Sequence, residues 1–396
     1  MKKLAILGST GSIGTSTLSI CDSFSDRYQP IALAAGHNVD VAFAQCSRWR
    51  PKVISVATEE LATELQQRLT AAGITGIEVV HGTAGTIYVA TLPEVDFVVS
   101  AIVGVAGLEA TYAAIQSGKT IGLANKECLV AAGELVMAAA KERNVAILPI
   151  DSEHNAVHQC MRGGKASEVR QVWLTASGGP FRNTPLADFE HITPAQALKH
   201  PTWVMGQRIT IDSATMMNKG FEVIEACRLF SLPPEQVRVS IHPQSTVHSM
   251  VEFVDGSILA QISVTDMRLP ILYALAYPQR VDATPAPGLQ FDFAALSQLD
   301  FSAPDLERFP CLRLAYEAAR TGGEACIALN AADEIAVAAF LEGRIPFLGI
   351  PRTIEEVLKQ TSDRTPPSIQ DVLDADFRAR ARAREVIAHQ FSGVFR

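Results

Sequence analysis

The chain predicts an α/β protein: an N-terminal Rossmann-type parallel sheet, a central α+β catalytic domain with a mobile lid, and a C-terminal helical bundle. Three observations carry that prediction. Short apolar runs alternate with helical stretches up to residue 150, the pattern of right-handed βαβ units. The first run is followed at once by glycines at every third position, Gly8, Gly11 and Gly14. From residue 304 onward the apolar residues recur at helical spacing instead. At 396 residues the chain exceeds the ~250–300 that one core supports. The division expected is 1–150 for a dinucleotide domain, 151–277 for a catalytic domain, 278–300 for a linker and 301–396 for the bundle.

Bulk composition narrows the partners. The chain is 48% hydrophobic and 19% charged, with a net charge of −8. That charge disfavours nucleic acid and anionic membranes, so an anionic substrate needs a local cluster of donors. The apolar run after Lys2-Lys3 breaks at Gly8, too short for a signal peptide, and no stretch approaches the ~20 apolar residues of a membrane helix. Seven cysteines without CxxC spacing indicate neither a disulfide framework nor a zinc site. A cytoplasmic protein is expected.

Residues 4–7 form the first strand, and Gly8 to Leu18 turns into a helix. Gly8 permits a tight turn, Gly11 lets the backbone approach a pyrophosphate, and Gly14 allows close helix packing. The second strand, Ile31 to Ala35, ends at Gly36-His37-Asn38. An NAD site places a carboxylate here for the ribose hydroxyl; His37 and Asn38 are donors instead, which tilts the cofactor toward NADP. Strands follow at 53–56, 77–80, 95–99, 120–124 and 145–150, with helices near 58–72, 106–117 and up to Arg143. Lys126 falls just past a strand's C-terminal end, the ligand side of such a sheet.

The last of these strands runs into Asp151-Ser152-Glu153. If extended backbone persists, Asp151 and Glu153 point to one side, where like charges need a cation or a proton between them. Val169 to Ala176 reads as a strand, and the aperiodic, Pro- and His-containing stretch 177–207 after it reads as a lid carrying His200 and Trp203. Beyond it, Ser213, Asn218 and Lys219 gather small donors and a cation near a helix start, a chemistry suited to phosphate, with Glu222 close by. Strands at 239–264 and helices at 312–320, 325–341 and 375–389 complete the chain.

Taken together, these stretches resemble the 1-deoxy-D-xylulose 5-phosphate reductoisomerase family. The resemblance rests on Gly8 to Gly14, Leu123 to Glu127, Asp151 to Asn155, Ser177 to Phe181, Asp212 to Gly220 and Ile241 to Ser245. It implies a homodimer that rearranges and reduces 1-deoxy-D-xylulose 5-phosphate to 2-C-methyl-D-erythritol 4-phosphate with NADPH and a divalent metal, in non-mevalonate isoprenoid biosynthesis. By the same resemblance Asp151, Glu153 and Glu222 hold the metal, and three hard oxygen donors suit Mg²⁺ or Mn²⁺. Lys126, Ser152, Ser177, His200, Ser213, Asn218 and Lys219 meet the substrate, with Ser177, Ser213, Asn218 and Lys219 on its phosphate. Trp203 closes on it from the lid. Lys126 and His200 count with the three carboxylates as catalytic. Thr10, Gly11, Ser12, Ile13, Gly36, Asn38, Asn125, Glu127 and Gly206 meet NADPH, beside His37, where the family often has Lys or Arg. The rival expectation is an NADP-dependent dehydrogenase of a phosphorylated aldehyde that leaves the carbon skeleton alone.

Overall fold

Two compact units make up the chain in a computed structural model that describes residues 1–199 and 206–391. The first comprises Met1–Cys128, Val136–Asn155 and Asp266–Phe291; the second comprises Leu129–Leu135, Ala156–Thr265 and Asp292–Arg396.

In the first unit β1 (Lys2–Leu7), β2 (Tyr28–Ala34), β3 (Val53–Val56), β4 (Glu78–His81), β5 (Phe97–Ser100), β6 (Thr120–Leu123) and β7 (Ile147–Pro149) form one sheet. All neighbours are parallel, in the order β4-β3-β2-β1-β5-β6-β7. Leu4–Leu7, Val53–Val56 and Phe97–Ser100 are buried throughout. Helices cover both faces, so these strands read as unbroken apolar runs rather than as alternation. The strand order reverses at β1, which puts the Gly8 turn at the topological switch point where such sheets bind ligands. Helices Val39–Trp49 and Gly82–Thr91 escaped the sequence reading. The second opens on glycine and is rich in Gly and Thr, so its propensity is poor. Tight packing holds it instead: a Cβ on Gly85 would stand 2.9 Å from Ser55 Oγ.

The segment Asp266–Phe291 also belongs here, although the sequence divides it between catalytic domain and linker. Its helix Arg268–Ala276 packs on the Ser12–Ser23 helix, and Lys2 Nζ donates to Leu275 O at 2.5 Å. Asn155 Nδ2 donates to Pro149 O (2.8 Å) and Pro270 O (3.3 Å), fastening the same segment beside β7.

In the second unit β8 (Val169–Ala176), β9 (Val237–Ile241), β10 (Val247–Phe253) and β11 (Ile258–Ile262) run in the order β11-β10-β8-β9, with only β8 and β9 parallel. One apolar cluster runs from Val172 and Leu174 on β8 through Phe221 and Ile224 to Leu312, Leu329 and Ile354. The predicted bundle therefore shares its core with strands β8, β9 and β10, and no packing boundary falls at 301. Residues 177–199 form the described part of the stretch expected to be a mobile lid. They fold into short turns at Leu186–His191 and Pro194–Ala197, and Phe181, Phe189 and Ala197 are buried. Phe189 packs against Phe309 and Phe347 with ring centroids 5.8 and 5.9 Å away. Such short turns bury their aromatics without leaving a period in the sequence.

Candidate active site

The glycine turn shows why each glycine is there. Gly8 lies at φ +84°, and a Cβ on it would stand 2.5 Å from Ala101 O. A Cβ on Gly14 would stand 2.3 Å from Gly8 O and 2.5 Å from Ser9 Cα, so the helix could not approach the turn. Gly11 differs: its Cβ would meet only Gly8 O, at 3.4 Å. Packing does not demand glycine at 11, and the room it leaves suits a pyrophosphate drawn close to the backbone. Gly11 and Ser12 are exposed at the start of the Ser12–Ser23 helix, whose first turn receives no side-chain cap. That end is favourable for an anion. Thr10 Oγ1 donates to Ala35 O (2.7 Å) and Gln45 Nε2 to the buried Ser9 O (2.8 Å), so both sides of the turn are held. Gln45 gave no sequence signal, because a glutamine on a helix reads as surface.

Gly36, His37 and Asn38 are exposed beyond β2. Asn38 Oδ1 accepts from Val41 N (3.1 Å), capping the next helix. That bond uses only the amide oxygen, so Asn38 Nδ2 and the His37 ring both keep a donor for a ligand. Asn125 is 3% exposed and serves the fold: its Nδ2 donates to Gly104 O at 2.8 Å and its Oδ1 accepts from Cys128 N at 2.9 Å. Glu127 opens the Glu127–Glu142 helix, half-buried beside it.

The expectation of extended backbone through Asp151-Ser152-Glu153 fails. β7 ends at Pro149, and a helix runs from Ser152 to Met161. Asp151 Oδ1 accepts from Glu153 N at 3.2 Å, a capping bond that turns the chain into the helix at once. Asp151 Oδ2 accepts from Lys126 Nζ at 2.8 Å, and His154 Nδ1 stands 3.5 Å from Asp151 Oδ1. Ser152 Oγ donates to Glu153 Oε2 at 2.6 Å. Two carboxylates thus stand at a helix N-terminus beside a buried ammonium, where dipole and cation both offset their repulsion. The pair remains partly exposed, as a ligand site requires.

The second unit gathers the predicted phosphate donors. Helices Gln207–Thr215 and Met217–Phe230 meet at Met216, whose φ of +61° is left-handed. The sharp turn puts Ser213 before the corner and Asn218, Lys219 and Glu222 after it. Gly206 caps the first of these helices through its extended backbone. Asn218 Nδ2 donates to Glu222 Oε1 at 2.6 Å, and Lys219 Nζ pairs with Glu222 Oε2. Lys219 and Glu222 are buried, while Ser213 and Asn218 are half-buried. Ser177 joins them through its neighbours: a Cβ on Gly179 (φ +68°) would stand 2.7 Å from Ser213 O. Only glycine lets the Ser177 turn lie directly on the Ser213 helix. His200 and Trp203 lie outside the described residues. Asp151 and Glu153 belong to the first unit and Glu222 to the second.

Family models cover most of the chain: one described as 1-deoxy-D-xylulose 5-phosphate reductoisomerase matches residues 4–133. Models of reductoisomerase C-terminal domains match 147–230 and 262–382. The chain is 53% identical to the 1-deoxy-D-xylulose 5-phosphate reductoisomerase of Solibacter usitatus, covering 100% of this chain and 99% of that one. With the enzyme of Methylococcus capsulatus the identity is 52%, over 98% and 99%. Among solved structures, the Zymomonas mobilis enzyme in complex with NADPH superposes with a TM-score of 0.91 at 45% identity, covering 98% of this chain and 99% of that one. A reductoisomerase in complex with NADPH, fosmidomycin and magnesium also gives 0.91, at 43% identity and 98% of each chain.

Proposed function

The chain belongs to the 1-deoxy-D-xylulose 5-phosphate reductoisomerase family, and on that premise we propose how its residues divide the reaction. The enzyme converts 1-deoxy-D-xylulose 5-phosphate to 2-C-methyl-D-erythritol 4-phosphate with NADPH and a divalent metal, a step of isoprenoid biosynthesis. The observation that carries the division of labour is the first unit itself. The sheet whose first turn leaves room for a dinucleotide also ends, past β7, in the Asp151 and Glu153 carboxylates.

Bound NADPH supplies the hydride, and the bound cation supplies Lewis acidity toward the ketone. Asp151, Glu153 and Glu222 are the residues we assign to the cation; their carboxylate oxygens are the hard donors that Mg²⁺ prefers. Lys126, placed by Asp151, offers N–H donors where charge develops on substrate oxygens. Ser152 orients Glu153 and meets the substrate beside it. Ser177, Ser213, Asn218 and Lys219 take the phosphate. That group is remote from the reacting carbons, so its binding energy orients the rest of the substrate. We assign His200 and Trp203 to the substrate from the family motif. Thr10, Gly11, Ser12 and Ile13 meet the pyrophosphate side of NADPH, and Gly36, His37 and Asn38 meet its ribose phosphate. We place Asn125, Glu127 and Gly206 against the rest of that cofactor. NADPH oxidation should require substrate and stop with EDTA, and NMR of the product should show a branched methyl carbon. An unbranched alcohol would favour a plain dehydrogenase.

We also propose a homodimer. Strand β11 is an edge strand, and Ile258 and Leu259 on it are 53% and 41% exposed, with Val254 nearby at 66%. An unpaired edge carrying apolar side chains is what a second copy covers. Leu259→Asp should convert a dimer of the expected mass to monomer in size-exclusion chromatography with light scattering. A monomeric wild type would refute the proposal. No described helix is long and apolar enough to cross a membrane. All seven cysteines are free, which suits a reducing compartment. We place the enzyme in the cytoplasm; activity retained in a washed membrane pellet would oppose that.

A further inference from the structure

The Gln207–Thr215 helix carries more than Ser213. Arg208, on the same helix, donates through Nη2 to Asn330 Oδ1 at 2.9 Å and through Nη1 to Glu334 Oε1 at 3.0 Å. Its Nη2 stands 3.7 Å from Asp333 Oδ2, and its Nε 3.7 Å from Asp212 Oδ2. Its guanidinium also lies over the Phe221 ring, 6.0 Å from the centroid. Asn330, Asp333 and Glu334 all belong to the Glu324–Leu341 helix, and Asn330 and Asp333 are completely buried. Arg380, on the Ile369–Gln390 helix, pairs with Glu334 and with Asp376, so Glu334 is braced in turn.

Asp212 and Asp333 form a carboxyl pair facing one guanidinium. Burial, and then the neighbouring Asp212 charge, hold the Asp333 carboxyl well above the usual carboxylate range. Protonated, Asp333 donates a hydrogen bond to Asp212, which stays ionised against Arg208, so one buried ion pair replaces two buried anions. The helix these groups hold has nine residues, begins without a side-chain cap and ends at the left-handed Met216. A helix that short does not stand by itself, so its tertiary ties set its orientation.

We infer that Asp333 is a positioning residue for the substrate's phosphate: with Arg208 and Asn330 it locks the helix that presents Ser213. This rests on the reading that Ser213 binds the phosphate. Because the backbone of Gly179 lies against Ser213 O, a shift of that helix also disturbs the turn that carries Ser177.

Asp333→Asn keeps the size and a donor, and should leave the Michaelis constant for 1-deoxy-D-xylulose 5-phosphate near the wild-type value. Asp333→Leu removes the donor and should raise that constant about tenfold, the scale expected from a small misplacement, with the NADPH constant unchanged. Arg208→Met, whose stem still covers Phe221, should give the same split and serves if Asp333→Leu does not fold. A wild-type substrate constant in Asp333→Leu or Arg208→Met, an NADPH constant that rises in parallel, or an Asp333→Asn as impaired as Asp333→Leu would each overturn the inference. Ser213→Ala separates the two levels. An unchanged substrate constant there refutes the phosphate reading itself, whereas a raised one beside an unaffected Asp333→Leu refutes only the role of Asp333.

Discussion

Glu153→Gln should cut turnover at limiting Mg²⁺ about 100-fold, the upper end of what even outer-shell changes cost a metal site. The side chain keeps its size, and its carbonyl can still accept the Ser152 hydroxyl that now donates to Glu153 Oε2. What disappears is one negative charge at a helix start, on a half-buried residue. The melting temperature should therefore move by only a few degrees, as for surface-like changes of under about 1 kcal/mol. Raising Mg²⁺ should restore part of the rate, because the lost affinity is repaid by mass action. Glu222→Gln should show the same Mg²⁺ dependence, although it comes from the other unit. Rates across a Mg²⁺ titration, with calorimetry on each variant, check both. A wild-type titration curve for either removes that carboxylate from the metal site.

The second large effect separates two glycines that look alike in the sequence. Gly14→Ala should destabilise the protein by about 1–3 kcal/mol or more, the cost of forcing atoms into a packed place. The new Cβ would run into the backbone of the Gly8–Ser9 turn, at 2.3 Å from Gly8 O and 2.5 Å from Ser9 Cα and Ser9 O. Backbone cannot swing aside as a flexible side chain can. Gly11→Ala meets one atom at 3.4 Å and should leave stability nearly unchanged. It should nevertheless raise the NADPH Michaelis constant at least about tenfold, since the methyl fills the space a pyrophosphate needs. His37→Glu gives the companion result: it should weaken NADPH more than NADH, because a carboxylate repels the 2′-phosphate. Thermal melts together with constants for both nucleotides decide these outcomes. If Gly11→Ala binds NADPH normally, the pyrophosphate does not lie over that turn.

Most of the first unit could be read from residues alone. Leu4–Leu7, Val53–Val56 and Phe97–Ser100 are apolar because both faces of a parallel sheet are covered, and their buried runs fall where the sequence places strands. Val169–Ala176 agrees with its expected bounds. Helices lacking propensity, such as Gly82–Thr91, were hidden because contacts rather than composition stabilise them. The Asp151 triplet misled for a related reason. Its capping bond to Glu153 N is a local alternative to the strand, and no period announces it.

The sequence by itself suggested the chemistry: a glycine turn for a dinucleotide, small donors and a lysine for phosphate and, through the family resemblance, carboxylates for a hard cation. The first two need only residue types and short spacings, whereas the third rests on motifs shared with the family. Tertiary structure decided what touches what. It placed Lys126 on Asp151 across 25 positions, laid Gly179 on Ser213, and returned Asp266–Phe291 to the first unit. It also set Arg208 among Asn330, Asp333 and Glu334, more than a hundred positions away. Side chains so distant in the chain meet only because elements bury their apolar faces together, and hydrophobic burial is non-directional. Composition therefore promises a core, while shape and packing alone choose which polar groups end up facing each other within it.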